Sequence, residues 1–228
     1  MPLTLNVAKA DLSLDSAFVQ PEFGLFRDTP KLMRHLFEHL QRHSPRLQDL
    51  KIERGNNSVG ELSVECHLYN FQTGVRVFTE KVNVVSINVR QDEVERFETV
   101  VVGALSAVKE HQPTVAFRTH TLSMLLHGAL QNKSGRDYLA AFVRNVPNGL
   151  GTHTGNGFVM YFGPEEDRLL SSVTVDLSAL VPDGILFRPY VVWDANKVEV
   201  AALPSRGFAF VRQVLDAFGV EIQTLRPS

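Results

Sequence analysis

The sequence predicts an α+β fold in which a mostly antiparallel sheet is covered by about four helices. Two observations support this prediction: some segments carry apolar residues at helical spacing, and the segments between them alternate apolar and polar residues or form short apolar runs. Composition agrees, because 44% hydrophobic and 21% charged residues in a chain of 228 are the balance of an ordinary globular protein with enough material for a core.

Four segments have the spacing and the end signals of helices. In the first, Leu32, Leu36 and Leu40 recur one turn apart, and Ser44-Pro45 ends the segment. The second and third each begin with a capping residue that is followed three positions later by an acidic residue. The predicted helices begin near Thr29, Asp92, Ser134 and Pro204.

The remaining periodic segments predict strands. The clearest are "LTLNV", "ELSVECHLY", "VRVFTE", "VNVVSINV", "FVMYF", "SSVTVDLSAL", "ILFRPYVVW" and "KVEVAAL". The short polar turn "DANK" separates the last two, which predicts that they pair as a hairpin. The segment "TVAFRTHTLSMLLHGAL" alternates at first and then loses the period, and we assign it to a strand.

The order strand, helix, strands, helix occurs twice along the chain. The first occurrence ends near Gln112-Pro113, and no long linker follows it. This order predicts either two similar and closely joined α+β halves, residues 1–112 and 113–228, or a single domain. An internal duplication would explain why two apolar positions of the second helix, Phe97 and Val100, recur at the same spacing in the fourth.

Charge and cysteine content argue against several classes of protein. The formal net charge is −2 and no Lys/Arg run occurs, so there is no strong signal for nucleic acid or for an anionic membrane. The single Cys66 alternates with Val64 and Leu68, which predicts a buried small side chain in a reducing compartment. The N-terminus lacks the pattern of a signal peptide and no apolar run reaches membrane-spanning length, so we expect a cytoplasmic protein.

The stretch "HLFEH", residues 35–39, is the most specific candidate site. On a helix His35 and His39 lie one above the other, and His43 continues the stripe. Zinc favours neutral imidazoles in such a pair, and a nearby carboxylate can act as a general base. The stretch resembles the His-x-x-Glu-His motif of inverzincin metallopeptidases, and the resemblance implies His35 and His39 as zinc ligands and Glu38 as the base.

The chain departs from that family beyond the motif. The family's third ligand is a glutamate far downstream on another helix, where this chain has "TVAFRTH", and the nearest acidic residue, Glu110, lies several positions earlier. The other interpretation, which we favour, is an amphipathic helix with polar histidines at the edge of its buried face.

The stretch "GLGTHTGNG", residues 149–157, is a second candidate. Its glycines would let backbone amides approach a phosphate, and Gly151, Thr152, His153 and Gly155 are the candidate binding residues. A phosphate-cradling loop should follow a strand and open a helix, whereas this stretch follows a predicted helix and leads into "FVMYF". A flexible connection from helix to strand is therefore the favoured interpretation.

A broader resemblance follows from the order of elements. The helix ending at Ser44-Pro45, the strands after it, the helix "DEVERFETVVVGALSAVKEH" and the segment "TVAFRTHTLSMLLHGAL" resemble a sporadically distributed family of uncharacterised bacterial proteins. The resemblance spans residues 15–145, mostly as element order. The chain lacks that family's Arg-Tyr-Ile-Asn signature where "FRTHTLSML" stands. The resemblance implies no activity and no site residues.

These observations favour a non-catalytic interaction or assembly protein that acts with a protein partner or by self-association. No Ser-His-Asp or Cys-His arrangement with a recognisable local signature is present, and we predict no cofactor for this function. Two alternatives stay open. One is a metal-dependent hydrolase, with zinc, that uses His35, Glu38 and His39. The other is a phosphate- or nucleotide-binding module at residues 149–157.

Overall fold

The fold was obtained as a computed structural model that describes residues 2–53, 62–90, 93–142 and 155–224. It is an α+β fold, as predicted, and most of its sheet is antiparallel. The helices are α1 (Thr29–His39), α2 (Val94–His111), α3 (Gly135–Ala140) and α4 (Leu203–Ala217). The strands are β1 (Leu3–Phe18), β2 (Leu50–Glu53), β3 (Ser63–Leu68), β4 (Thr73–Phe78), β5 (Lys81–Ser86), β6 (Phe117–Leu130), β7 (Phe158–Phe162), β8 (Arg168–Leu177), β9 (Ile185–Asp194) and β10 (Val220–Thr224).

All ten strands belong to one sheet, in the order β2-β3-β4-β5-β1-β6-β9-β8-β7, with β10 pairing in parallel with the start of β1. Its centre is the long antiparallel ladder between β1 and β6, which runs from the pair Leu5–Leu130 to the pair Phe18–Phe117. Strands of residues 1–112 lie on one side of this ladder. Strands of residues 113–228 lie on the other, apart from β10. The internal duplication and its boundary stay predictions.

The helices cover one face of the sheet, and the core lies between the two layers. Helix α2 packs on β4 and β5, α3 on β8, and α4 on β6 and β9, while α1 packs mainly on α2. Along β1 the side chains of Leu12 and Leu14 are fully buried, whereas Ser13 between them is partly exposed on the open face. Such alternation is expected of a strand with one face on the core. Among the described residues, no helix is long and apolar enough to cross a membrane.

Capping residues define two of the helix starts. Asp28, one residue before the predicted start of α1, accepts a hydrogen bond from the Lys31 amide at 3.1 Å. Ser134 caps α3 by accepting from the Asp137 amide at 3.0 Å, which confirms the predicted start there. The predicted cap of α2, Asp92, lies outside the described residues.

Two strand predictions were wrong in detail. The segment "KVEVAAL" is not a strand, because Val200–Ala202 form a 3-10 turn and α4 begins at Leu203. The proline at 204 fixes the backbone for a first helical turn, so local apolar alternation does not decide this segment. Strand β9 consequently pairs with β6 and β8 and forms no hairpin with this segment. The prediction "LTLNV" covered only the first part of β1, and β2 and β10 were not predicted.

Cys66 is fully buried in β3, as predicted. Burial raises the pKa of its thiol to about 12, so the side chain behaves as a small apolar group.

Candidate functional site

The first candidate site lies where α1 packs against the second half of α2. The backbones approach closely because α2 has a glycine there: a Cβ at Gly103 would lie 3.0 Å from the His39 carbonyl oxygen. This crossing places His35 and His39, one turn apart on α1, beside Glu110 of α2. The predicted histidine pair is therefore assembled on one side of α1, and its partner is a carboxylate from a different helix.

Both imidazoles contact the two oxygens of one carboxylate. His39 Nε2 lies 2.5 Å from Glu110 Oε2, and His35 Nδ1 lies 3.3 Å from Glu110 Oε1. The hydrogen bond from His39 lowers the pKa of the Glu110 carboxyl; burial acts in the opposite direction, and the neighbouring imidazoles lower the pKa further. The cluster therefore holds an ionised carboxylate between two imidazoles.

A third imidazole, that of His111, lies next to His35. His111 Nε2 lies 3.0 Å from the Leu25 carbonyl oxygen and donates to it, so Nδ1 of the neutral ring carries no proton. Burial lowers the pKa of His111, which favours the neutral ring. Its ring meets His35 edge-on at a centroid distance of 5.8 Å. His35 is 6% exposed, and its 3.3 Å contact with Glu110 lacks the geometry of a hydrogen bond.

The other predicted members of this site lie elsewhere. Glu38 faces solvent, where its Oε1 lies 3.8 Å from Arg34 Nε. His43 follows the end of α1, and its Nδ1 lies 2.5 Å from the Tyr69 hydroxyl oxygen. Within the described part of the chain, no group of three or more His, Cys, Asp or Glu side chains is arranged to hold a metal ion. Zinc binding and a base role for Glu38 stay predictions.

Most of the predicted phosphate loop lies outside the described residues, including Gly149, Gly151, Thr152 and His153. Gly155 is described and lies tightly against the end of β8, since a Cβ there would come within 2.3 Å of Leu177 Cδ1. Phosphate binding by this loop stays a prediction.

The structure also contains an exposed apolar edge strand, β7, which the sequence analysis did not identify as a candidate site. Strand β7 lies at the end of the sheet order and, within the described ranges, pairs only with β8. Its side chains are exposed on both faces: Val159 by 45%, Tyr161 by 73% and Phe162 by 47%. A strand with a free edge and exposed apolar side chains is a template for pairing with another chain.

The opposite edge of the sheet differs in charge. Strand β2 is four residues long and carries Lys51 and Glu53 on either side of the half-exposed Ile52. Short length and charged side chains are the usual protection of an edge against pairing. The five residues of β7, in contrast, include no charge.

Comparisons with known proteins identify no family. No family model and no curated protein matches the chain. A solved structure, the rolling circle replication initiator protein from Geobacillus stearothermophilus, is similar over 92% of this chain and 80% of that chain, with 9% sequence identity and a TM-score of 0.34. A similarity at that TM-score supports no argument about function.

Proposed function

We propose that the protein is a non-catalytic interaction and assembly protein, and that β7 pairs with β7 of a second copy. The observation that carries this proposal is the uncharged edge strand, which exposes apolar side chains on both of its faces. Edge pairing would join main-chain donors and acceptors across the two copies and bury these side chains.

The charges around β7 favour an antiparallel pairing. In an antiparallel arrangement centred on Met160, Val159 of one copy faces Tyr161 of the other, and only apolar side chains meet. The acidic turn after β7, which begins at Glu165, then lies level with Gly155 of the other copy. A parallel arrangement would place the two acidic turns side by side, and like charges there would oppose association.

The two edges of the sheet also favour a closed dimer. An antiparallel β7–β7 contact is isologous, because the same surface is used by both copies and nothing is left for a third. Since the β2 edge carries charges at Lys51 and Glu53, further copies are not expected to add there.

The oligomeric state tests this proposal. Size-exclusion chromatography with light scattering should give twice the 25.5 kDa mass of the chain for the wild type at micromolar concentration. Replacing Val159 and Tyr161 together by lysine should give a monomer, because two facing pairs of charges would then meet at the centre of the contact. Both side chains are exposed on the open face, so the monomer should tolerate the change.

The matched control lies at the opposite edge. Ile52→Lys introduces the same charge at a half-exposed position of β2 and should leave the dimer intact. A wild type that stays monomeric over the concentration range would refute the proposal. A dimer that survives the β7 double variant would refute it as well.

A further inference from the structure

A second group of polar residues surrounds a cavity beyond the C-terminal end of α1 and is independent of the β7 edge. The cavity has a volume of about 360 Å³ and lies between the turn after α1 and the turn that joins β3 to β4. Its polar lining includes the imidazole of His43. The other polar groups are two guanidiniums, two hydroxyls, one amide and one carboxylate, from Arg42, Arg46, Ser44, Tyr69, Asn70 and Asp49.

The hydrogen bonds of His43 determine which way the Tyr69 hydroxyl points. The Nε–H of Arg42 can only donate, and it lies 3.3 Å from His43 Nε2, so that nitrogen accepts. The proton of the ring is then on Nδ1, which donates to the Tyr69 hydroxyl oxygen at 2.5 Å. The Tyr69 O–H is therefore left to donate to something else.

The neutral state of the ring agrees with this assignment. His43 is 8% exposed, and burial, together with the positive charges of Arg42 and Arg96, lowers its pKa. Thr99 Oγ1 lies 3.2 Å from the same Nε2 and 3.0 Å from the Arg96 carbonyl oxygen, and the single proton of this hydroxyl lies between the two acceptors. A buried neutral imidazole with this tautomer holds the tyrosine oxygen in one position.

Positive charge surrounds the tyrosine. The guanidinium of Arg96 stacks on the Tyr69 ring, 4.6 Å from its centroid. Burial raises the pKa of the Tyr69 hydroxyl, with the charges of Arg96 and Arg42 opposing it, so the hydroxyl keeps its proton. The single carboxylate of the lining, Asp49, is already held by the fork of Arg46 through two contacts of 3.0 Å.

The backbone around the cavity has an unusual conformation. Ser44, Tyr69 and Asn70 all have positive φ, at 52°, 54° and 53°. Non-glycine residues rarely adopt this region, and such residues concentrate at binding sites where the fold enforces them. Here the left-handed turns place the side chains of the lining around one cavity.

We infer that this cavity binds a phosphoryl group, with the Tyr69 hydroxyl and the Arg42 guanidinium donating to its oxygens. Several donors that converge from different directions suit an anion with oxygens on all sides, and guanidinium groups bind phosphate oxygens well. The phosphoryl group can belong to free phosphate or to a phosphoester, since both present the same oxygens to these donors.

Calorimetric titration of the full chain with inorganic phosphate and with phenyl phosphate tests this inference. Ionic strength is held constant with sodium chloride, because screening alone changes the apparent affinity. We expect saturable binding of phosphate. Tyr69→Phe should weaken it about tenfold, since this change removes one hydrogen bond to a charged group. Tyr190→Phe, on the open face of the sheet, should bind as the wild type does.

The two probes, inorganic phosphate and phenyl phosphate, distinguish free phosphate from a phosphoester as the source of the phosphoryl group. Tighter binding of phenyl phosphate identifies a phosphoester as the ligand, and equal or weaker binding identifies free phosphate. Arg42→Gln provides a second variant in case Tyr69→Phe does not fold, as judged by circular dichroism, and it should also weaken binding. Absence of saturable binding of either probe, or wild-type affinity in the folded variants, would overturn the inference.

Discussion

At the scale of single residues, His120 in the core has the most strongly lowered pKa among the histidines that the structure describes. It is 1% exposed, and its Nδ1 lies 2.8 Å from the Ser16 hydroxyl oxygen on the neighbouring strand β1. Burial lowers the pKa of this imidazole from 6.5 to about 4, because the low-dielectric core disfavours the charged ring. The folded protein therefore holds His120 neutral in a pH range where the unfolded chain protonates it.

This difference predicts an acid-dependent loss of stability. Between pH 6.5 and about 4 the unfolded state binds a proton that the native state does not, so the free energy of unfolding falls as the pH falls. A shift of this size corresponds to a loss of about 3 kcal/mol. Urea denaturation at several pH values should show that His120→Gln, although less stable at neutral pH, loses less stability on acidification. Parallel pH profiles for the two proteins would contradict the prediction.

At the scale of elements, the contact between β1 and β6 depends on a glycine. A Cβ at Gly128 would lie 2.5 Å from the backbone oxygen of Asn6 and 2.9 Å from Leu5 Cδ1. A backbone oxygen held in a ladder cannot move away as the end of a side chain can. We expect Gly128→Ala to lower the free energy of unfolding by about 1–3 kcal/mol, measured by urea denaturation.

The sheet offers a matched control for this substitution. A Cβ at Gly74, in β4, would meet only His67 Nδ1, at the ordinary distance of 3.8 Å. Gly74→Ala should therefore leave stability unchanged or raise it by less than about 1 kcal/mol. Equal destabilisation by the two alanines would show that the close approach of Gly128 to β1 is not responsible.

Local patterns predicted the elements whose signals lie within their own segments. Strand β7 was predicted with its observed bounds, because an uncharged apolar run ends in a glycine-proline pair. The later part of β1 was missed because Asp11 and Asp15 interrupt its apolar pattern. Both lie on the open face, where a strand tolerates charge. The pairing of β10 joins residues at opposite ends of the chain, and a local pattern carries no information about such a contact.

For the candidate sites, too, the sequence predicted only those features whose signal lies within one segment. Helical spacing was sufficient to place His35 and His39 on one side of α1. It could not identify Glu110 as their partner, since that contact depends on where α1 crosses α2. The pairing of His43 with Tyr69 likewise joins two elements. The exposure of β7 was not predictable either, because an apolar run in a sequence looks the same whether it becomes a central strand or an edge.

At the scale of the whole molecule, the two predicted halves are connected through β1. This strand pairs with β6 along one edge, and with β10 and β5 along the other, so both segments contribute to its hydrogen bonds. The buried apolar residues also form one cluster that spans residues from both segments. An arrangement of this kind favours cooperative unfolding.

We therefore expect one calorimetric unfolding transition for the full chain, with equal calorimetric and van't Hoff enthalpies. The monomeric β7 variant, Val159→Lys with Tyr161→Lys, is the appropriate protein, because dissociation would otherwise make the transition depend on concentration. The fragment 1–112 should not fold alone, since it leaves one edge of β1 without β6 and the start of the other edge without β10. A soluble fragment with its own cooperative transition would instead show that residues 1–112 are an independent domain. Two transitions in the full chain would indicate that the β1–β6 ladder joins two separately stable halves.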